Sequence, residues 1–209
     1  VFMRQRSDYP TFSDQEMARR HQAIQALMDQ EGVDALLVYG TGRYSSDVYW
    51  LSDWPCSREA YVLFQNGKEP VVLMQLFNHF PMARVMSIVK DVRWAGANTG
   101  NSVLELVRER GLESKKIGLV GAIPYQNYNR LREKFPNASF VDLSGKLRMM
   151  RTVRSAEEID RIRFASKLTD QSIQAIAQGL KEGMREDEIP AIIEPVYLKQ
   201  GGYAGIRFM

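Results

Sequence analysis

The sequence predicts an α/β fold in which a sheet carries helices on its faces and one hairpin adds antiparallel character. Three observations predict it. Short apolar runs bounded by glycine recur as candidate buried strands, segments with helical spacing alternate with them, and Asn66-Gly67 separates two apolar stretches in the manner of a tight hairpin.

The first element opens at Ser13-Asp14-Gln15-Glu16, a capping box in which the Ser13 hydroxyl and the Glu16 carboxylate can each satisfy an orphan amide. Met17, His21, Ile24, Leu27 and Met28 follow at helical spacing and Gly32 supplies the stop, so one apolar stripe faces a core. Residues 34–39 form a short apolar run, as expected of a strand buried on both faces. The stretches 60–65 and 70–75 flank Asn66-Gly67, where both central residues of the favoured turn need positive φ. A helix is expected near 80–86, a strand near 92–95 and a helix over 102–110. A further buried strand is read at 116–120, Pro124 suits the first turn of a helix reaching Lys134, and 138–141 reads as a last short strand. No internal repeat or low-complexity tract interrupts this pattern.

A second piece begins at Ser155-Ala156-Glu157-Glu158, another capping box. Ile159, Ile162, Ala165, Leu168, Ile173, Ile176 and Leu180 then predict a long amphipathic helix that Gly183 can end. Residues 186–198 give a second helical pattern with Pro190 in its first turn, and Gly201-Gly202 introduces a final apolar segment. Two helices and a strand bury too little apolar surface alone. This piece is therefore expected to pack against a partner copy or a further C-terminal region.

Composition sets outer bounds. With 44% hydrophobic and 25% charged residues, the chain reads as an ordinary globular protein. No segment is apolar enough over sufficient length to span a bilayer, and residues 1–6 lack the apolar core of a secretory signal, so a cytoplasmic location and no membrane partner are expected. A net charge of +3 invites a nucleic-acid reading, yet 28 basic and 25 acidic residues are interleaved. The local excess at Lys146, Arg148, Arg151, Arg154, Arg161, Arg163 and Lys167 lacks accompanying aromatics to stack on bases. It reads as a solvated linker and helix face, with no nucleic-acid partner.

Individual reactive residues give weak signals. The single cysteine, Cys56, has no partner for a disulfide or a thiolate zinc site and reads as a small buried residue. His21 shares a stripe with Met17, Ile24 and Met28, which suggests a half-buried, hydrogen-bonded ring; His79, between Phe77 and Phe80, is assigned no role. Gly40-Thr41-Gly42-Arg43-Tyr44-Ser45 follows a strand in the manner of a dinucleotide-binding turn. However, Ser45 occupies the third glycine position and no apolar helical pattern follows, so these glycines are read as ending a strand and turning the chain.

The stretch Met150-Arg151-Thr152-Val153-Arg154-Ser155-Ala156-Glu157-Glu158-Ile159 resembles the domain junction of the creatinase, prolidase and aminopeptidase P family. Tyr39-Gly40 at a strand end and Asp47-Val48-Tyr49-Trp50-Leu51-Ser52-Asp53-Trp54 are similar to elements of that family's N-terminal domain, and the resemblance extends over nearly the whole chain. It implies a ribonuclease H-like domain over 1–146 with a mixed six-stranded sheet flanked by helices. Residues 147–209 would then be the junction and the beginning of an α+β pita-bread catalytic domain. It also implies a homodimer, a peptide or small amide substrate, and hydrolysis of a C–N bond, foremost an Xaa-Pro peptide bond.

In the metallopeptidase branch, a pair of divalent cations (Mn, Co or Zn) is held by two Asp about eleven residues apart, one His and two Glu. No two aspartates here are eleven positions apart, and both histidines lie in the N-terminal part, so no metal or catalytic residue is assigned. Those ligands are expected beyond Met209, which leaves the 209-residue chain inactive alone. Related enzymes use this domain to shape a neighbouring subunit's substrate pocket. Tyr49, Trp50, Trp54 and Arg58 are the candidates here, as an aromatic wall and a carboxylate-binding cation, with domain core as the other reading of the three aromatics. Two other family outcomes stay open: a creatinase-like amidinohydrolase working without metal, and a non-catalytic protein-binding module.

Overall fold

Alternating strands and helices build one mixed sheet with a layer of helices on each face. The computed structural model describes residues 11–201. It divides between Val153 and Arg154 into two units, each taken by itself below.

The first unit runs α1 (Asp14–Glu31), β1 (Ala35–Gly40), α2 (Ser46–Ser52), β2 (Ala60–Gln65), β3 (Val71–Met74), α3 (Phe80–Met86), β4 (Asp91–Trp94), α4 (Thr99–Glu109), β5 (Lys116–Val120), α5 (Tyr125–Lys134), β6 (Ser139–Asp142) and α6 (Ser144–Met150). The six strands lie in the order β4-β3-β2-β1-β5-β6. Only β2 runs against its neighbours; β1, β5 and β6 are mutually parallel, as are β3 and β4. The expected hairpin is therefore the one reversal in an otherwise parallel sheet, and all strands except β2 direct their carboxyl ends to the same edge.

Strand β1 is buried along its whole length, because both faces are covered. Its alternate side chains feed two cores. Leu36 and Val38 join Ile24 and Met28 of α1, Trp50 and Leu51 of α2 and Leu147 of α6. Leu37 and Tyr39 join Val103 and Val107 of α4 and Leu131 of α5 on the opposite face. Val38 lies opposite Val62 of β2 on one side and Val120 of β5 on the other, which fixes this alternation across the sheet.

Local signals account for most boundaries. The Ser13 hydroxyl accepts the Glu16 amide at 3.1 Å and Gly32 ends α1 in the left-handed region at φ 60. The Glu16 carboxylate engages Arg19 and Arg20. Helix α4 starts three residues earlier than the apolar pattern suggests, because the Asn98 side chain caps it by accepting the Asn101 amide. Two helices, α2 and α6, went unanticipated; both are only seven residues long.

The second unit contains α7 (Ala156–Gly179) and α8 (Ile189–Leu198), the latter entered through a single 3-10 turn at Glu186–Glu188. Both halves of the Ser155–Glu158 capping box form, at 3.0 and 3.1 Å. The long helix ends at Gly179, short of Gly183, because Leu180 turns extended. A Cβ at Gly179 would stand 3.2 Å from two carbons of Ile192, so the missing side chain admits α8. The apolar segment expected after Gly202 lies outside the described residues.

Gly121 must be glycine: its φ is +91 and a Cβ there would stand 2.3 Å from the Tyr39 carbonyl oxygen. Gly145, in α6, has nothing within 4 Å of its Cβ position. Urea denaturation should show Gly121→Ala destabilised by at least about 2 kcal/mol. Gly145→Ala should be neutral or stabilised by up to about 1 kcal/mol. Equal stability for the two variants would contradict the close approach of β1 and the β5 exit.

Candidate functional site

The segment linking β1 to β2 carries the residues that the sequence singles out. It starts with Gly40, where a Cβ would meet Ser45 Cα and Val48 Cγ2 at 2.9 Å, and continues through Gly42 at φ 51 into a 3-10 turn at Gly42–Tyr44 and then α2. The glycines thus let a short helix fold back against the strand it leaves. An antiparallel strand follows instead of the parallel crossover that a dinucleotide turn requires.

Helix α2 is amphipathic across its seven residues. Val48, Leu51 and Trp50 point into the core, the last only 4% exposed, while Tyr49 is half-buried with its ring 6.2 Å from that of Phe12. Asp53 ends the helix at φ 55, the one described non-glycine residue in the left-handed region, and its Oδ2 accepts the Phe12 amide at 3.1 Å. That turn returns Trp54 to the same core, 6% exposed, with His79 edge-on at 6.3 Å. Arg58 is exposed in the loop before β2. Of the four candidates, Trp50 and Trp54 are therefore core residues, whereas Tyr49 and Arg58 reach solvent.

Beneath α2 lies a pair that the sequence reading passed over. Arg20 is 1% exposed, and its Nε donates to Glu16 Oε1 at 2.7 Å while Nη1 donates to the Trp50 carbonyl at 3.2 Å. The guanidinium carbon stands 3.8 Å from the Phe12 ring centre and 5.3 Å from that of Trp50. Burial alone would raise the Glu16 carboxyl, but hydrogen bonds from Arg19 and Arg20 outweigh it and hold it at about 2. The signal was present: Arg20 falls on the stripe of Met17 and Ile24, four residues after a glutamate.

The histidines and the cysteine are committed elsewhere. His21 Nε2 donates to the Leu51 carbonyl at 2.9 Å and its ring meets Phe64 edge-on at 5.4 Å, the half-buried, bonded role expected of it. Cys56 is buried, and burial pushes its thiol up to about 11 despite a hydrogen bond with Ser45. Among the described residues no three His, Cys, Asp or Glu side chains converge as metal ligands. The donor set on hand does not fit a two-metal centre.

A second polar cluster occupies the edge where the parallel strands end. The Thr99 hydroxyl donates to Glu59, and Asn127 Nδ2 donates to the Tyr61 hydroxyl at 2.8 Å, with the Tyr39 and Tyr61 rings 4.9 Å apart. Burial pushes both phenols up, and the Glu59 carboxylate adds to it. These groups satisfy one another and brace α4 and α5 on the sheet. A separate cavity of about 520 Å³ opens between α1 and the β2–β3 turn, lined in part by Asp14, His21, Gln25, Phe64 and Lys68. None of the four candidates lines it.

The family described as Creatinase/Prolidase N-terminal domain matches residues 20–153. A creatinase of a Bacillus species is 26% identical over 184 residues, spanning 86% of this chain and 44% of that protein. An Xaa-Pro dipeptidase of Pyrococcus horikoshii is 24% identical over 178 residues, 85% of this chain and 47% of its own length. Among solved structures, an X-Pro aminopeptidase of Thermotoga maritima superposes with a TM-score of 0.73 at 20% identity, covering 87% of this chain and 49% of that one. The chain thus spans about half the length of the curated relatives it matches.

The buried pair yields a prediction. Because the folded Glu16 carboxyl lies below its ordinary 4.5, its contribution is complete above that pH and disappears as pH falls toward about 2. The amount at stake is about 2–3 kcal/mol. Arg20→Met should lower stability at pH 7 by roughly 2–4 kcal/mol, and its deficit should shrink at pH 2. Chemical denaturation of both proteins at the two pH values measures this; a deficit independent of pH would rule out the ionic origin.

Proposed function

The chain belongs to the Creatinase/Prolidase N-terminal domain family, and on that premise we propose that it is the N-terminal portion of a hydrolase that cleaves Xaa-Pro peptide bonds. The observation that carries this reading is the continuous match over residues 20–153 to a family whose relatives here include an Xaa-Pro dipeptidase, joined to a six-stranded mixed sheet of the same fold as an X-Pro aminopeptidase. The hydrolytic step is assigned to the half of the relatives' length that this chain does not span. There a pair of divalent cations, Mn, Co or Zn, would polarise the scissile carbonyl and supply a metal-bound water in the intact enzyme. The described donors fit no such centre, so none of them receives a metal role.

The present chain then contributes to dimerisation and to the wall of a peptide pocket. Its outward-facing candidates are Tyr49, an amphipathic ring on a helix anchored by Arg20 and Asp53, and Arg58, a cation suited to a substrate carboxylate. Trp50 and Trp54 support that wall from beneath. A cytoplasmic location suits a chain whose one cysteine is buried as a free thiol, and no described helix is long and apolar enough to cross a membrane.

The Bacillus creatinase at 26% identity favours a second reading, a creatinase-like amidinohydrolase acting without metal. Chelation separates the two, since a peptidase should lose turnover of Xaa-Pro dipeptides and an amidinohydrolase should retain hydrolysis of the amidino C–N bond of a guanidino acid.

The 209-residue chain supplied with Mn should show no Xaa-Pro turnover. In the intact hydrolase, Tyr49→Ala and Arg58→Ala should raise KM several-fold with an unchanged melting temperature, whereas Trp54→Ala should destabilise the fold by about 3–5 kcal/mol. Mn-dependent turnover by the 209-residue chain would refute the division of labour, and an unchanged KM in both surface variants would refute the pocket role.

A further inference from the structure

The cavity of about 520 Å³ between α1 and the β2–β3 turn has no part in the site described above, and its volume lies in the range of small-molecule pockets. One wall is a single face of α1, where Asp14, Ala18, His21 and Gln25 follow one another at intervals of three or four residues. The facing wall is the turn, with Lys68 and Glu69, and the floor is apolar, formed by Phe64, Pro70 and Ile88. The two walls are tied together. Asp29 Oδ1 accepts Gln25 Nε2 of its own helix at 3.0 Å and Asn66 Nδ2 of the turn at 3.1 Å, and the turn is closed by the Lys68 amide on the Gln65 carbonyl at 3.1 Å. The cavity is thus held open before any ligand arrives.

Its polar lining consists mainly of acceptors. His21 Nε2 lies 2.9 Å from the Leu51 carbonyl, which can only accept, so the ring's proton sits on Nε2 and Nδ1 is left as a lone-pair acceptor in the neutral imidazole. Gln25 commits its amide nitrogen to the Asp29 carboxylate, which turns its side-chain oxygen away as a second acceptor. Glu69 adds an exposed carboxylate from the turn. Among the described residues, Lys68 is the one cation that lines the cavity. We propose that this cavity binds a small organic ammonium, a protonated amine carried on an apolar body.

An ammonium carries three donors and no acceptor, the converse of this lining. Residues four apart on a helix have Cβ atoms about 5–6 Å apart, a gap that one nitrogen bridges with two hydrogen bonds of about 2.8 Å, here to His21 and Gln25. Glu69 supplies the opposite charge from the turn, and the floor of Phe64, Pro70 and Ile88 takes the apolar body. Other ligand classes fit less well. A carboxylate or phosphate would face lone pairs and Glu69 with Lys68 alone in its favour, and a purely apolar ligand would cover His21 Nδ1 without giving it a donor. A metal ion lacks its ligands, since no three His, Cys, Asp or Glu side chains converge among the described residues. The site belongs to the sheet domain and does not depend on the peptidase reading.

Benzylammonium and benzoate share an aromatic body and differ in charge, so titrating each into the isotope-labelled 209-residue chain and following backbone amide shifts by NMR tests the assignment. Benzylammonium should shift the amides of Ala18, His21, Gln25 and Lys68 along one saturation curve in the millimolar range, at least about tenfold more tightly than benzoate. Lys68→Glu should tighten benzylammonium binding by at least about threefold, and Glu69→Lys should loosen it by a similar factor. Both positions are exposed on the turn, and tighter binding by the first variant is a result that misfolding cannot produce. No saturable shift with benzylammonium, shifts confined to other residues, equal affinity for benzoate, or affinity indifferent to both charge changes overturns the proposal.

Discussion

One cation held out of water organises the first unit. Removing a guanidinium from solvent costs several kcal/mol unless its donors are met, and at Arg20 they are met by Glu16, by the Trp50 carbonyl and by Met17 sulfur, with aromatic rings on two sides. Such a pair adds little net stability over an apolar filling of the same volume. Its consequence is directional: apolar packing alone lets α1 rotate or slide on the sheet, whereas a carbonyl contact at Trp50 and the neighbouring His21 contact to Leu51 fix one position. Asp53 then closes the arrangement by bonding the Phe12 amide, which brings the ring over the guanidinium. The outward side of α2 is held as well, since Asp47 pairs with Arg151 near the end of the unit. A ligand-facing Tyr49 would thus ride on a helix whose position is set from both sides.

Strands were the readable part of this chain, for a physical reason. Residues in β1 and β5 are buried on both faces or nearly so, and a short apolar run between glycines has few other uses. The two capping serines were equally plain, because a hydroxyl three residues before a glutamate has a local function independent of the rest of the fold. Helix α2 was not readable: seven residues with three aromatic or β-branched side chains have poor intrinsic helicity, and the helix exists because Val48, Trp50 and Leu51 gain burial against β1 and β2. Without its phase, Tyr49, Trp50 and Trp54 could not be sorted into inward and outward residues. The Glu59–Thr99 and Tyr61–Asn127 contacts were hidden for another reason, since each joins polar residues at least 40 positions apart.

The basic excess near the junction also has a local account. Lys146 pairs with Glu31 and Arg151 with Asp47 in the first unit, while Arg154, Arg161 and Arg163 meet Glu158, Glu157 and Asp160 in the second. Where both partners are largely exposed, as at Arg163 and Asp160, such a pair contributes at most about 1 kcal/mol. The pairs nevertheless neutralise a stretch that looks strongly cationic when only lysines and arginines are counted.

The two units differ in how they treat exposed binding potential. Each edge strand of the sheet has only four residues; in β4, Arg93 is locked between Asp91 and Glu109, and β6 ends on Asp142. Short, charged edges discourage further strand pairing, so the first unit presents itself as finished. The described residues of the second unit are less covered. Ile189, Ile192, Ile193, Val196 and Leu198 spread apolar surface around much of α8, yet none of its residues is fully buried. A helix apolar around most of its circumference gains stability only when covered, and α7 can cover one side of it. On α7, Ile159, Ile162 and Ile173 are likewise exposed. Within the second unit, α7 and α8 therefore bury only part of their apolar surface against each other, which is why their helical pattern could be read from the sequence while their full cover could not.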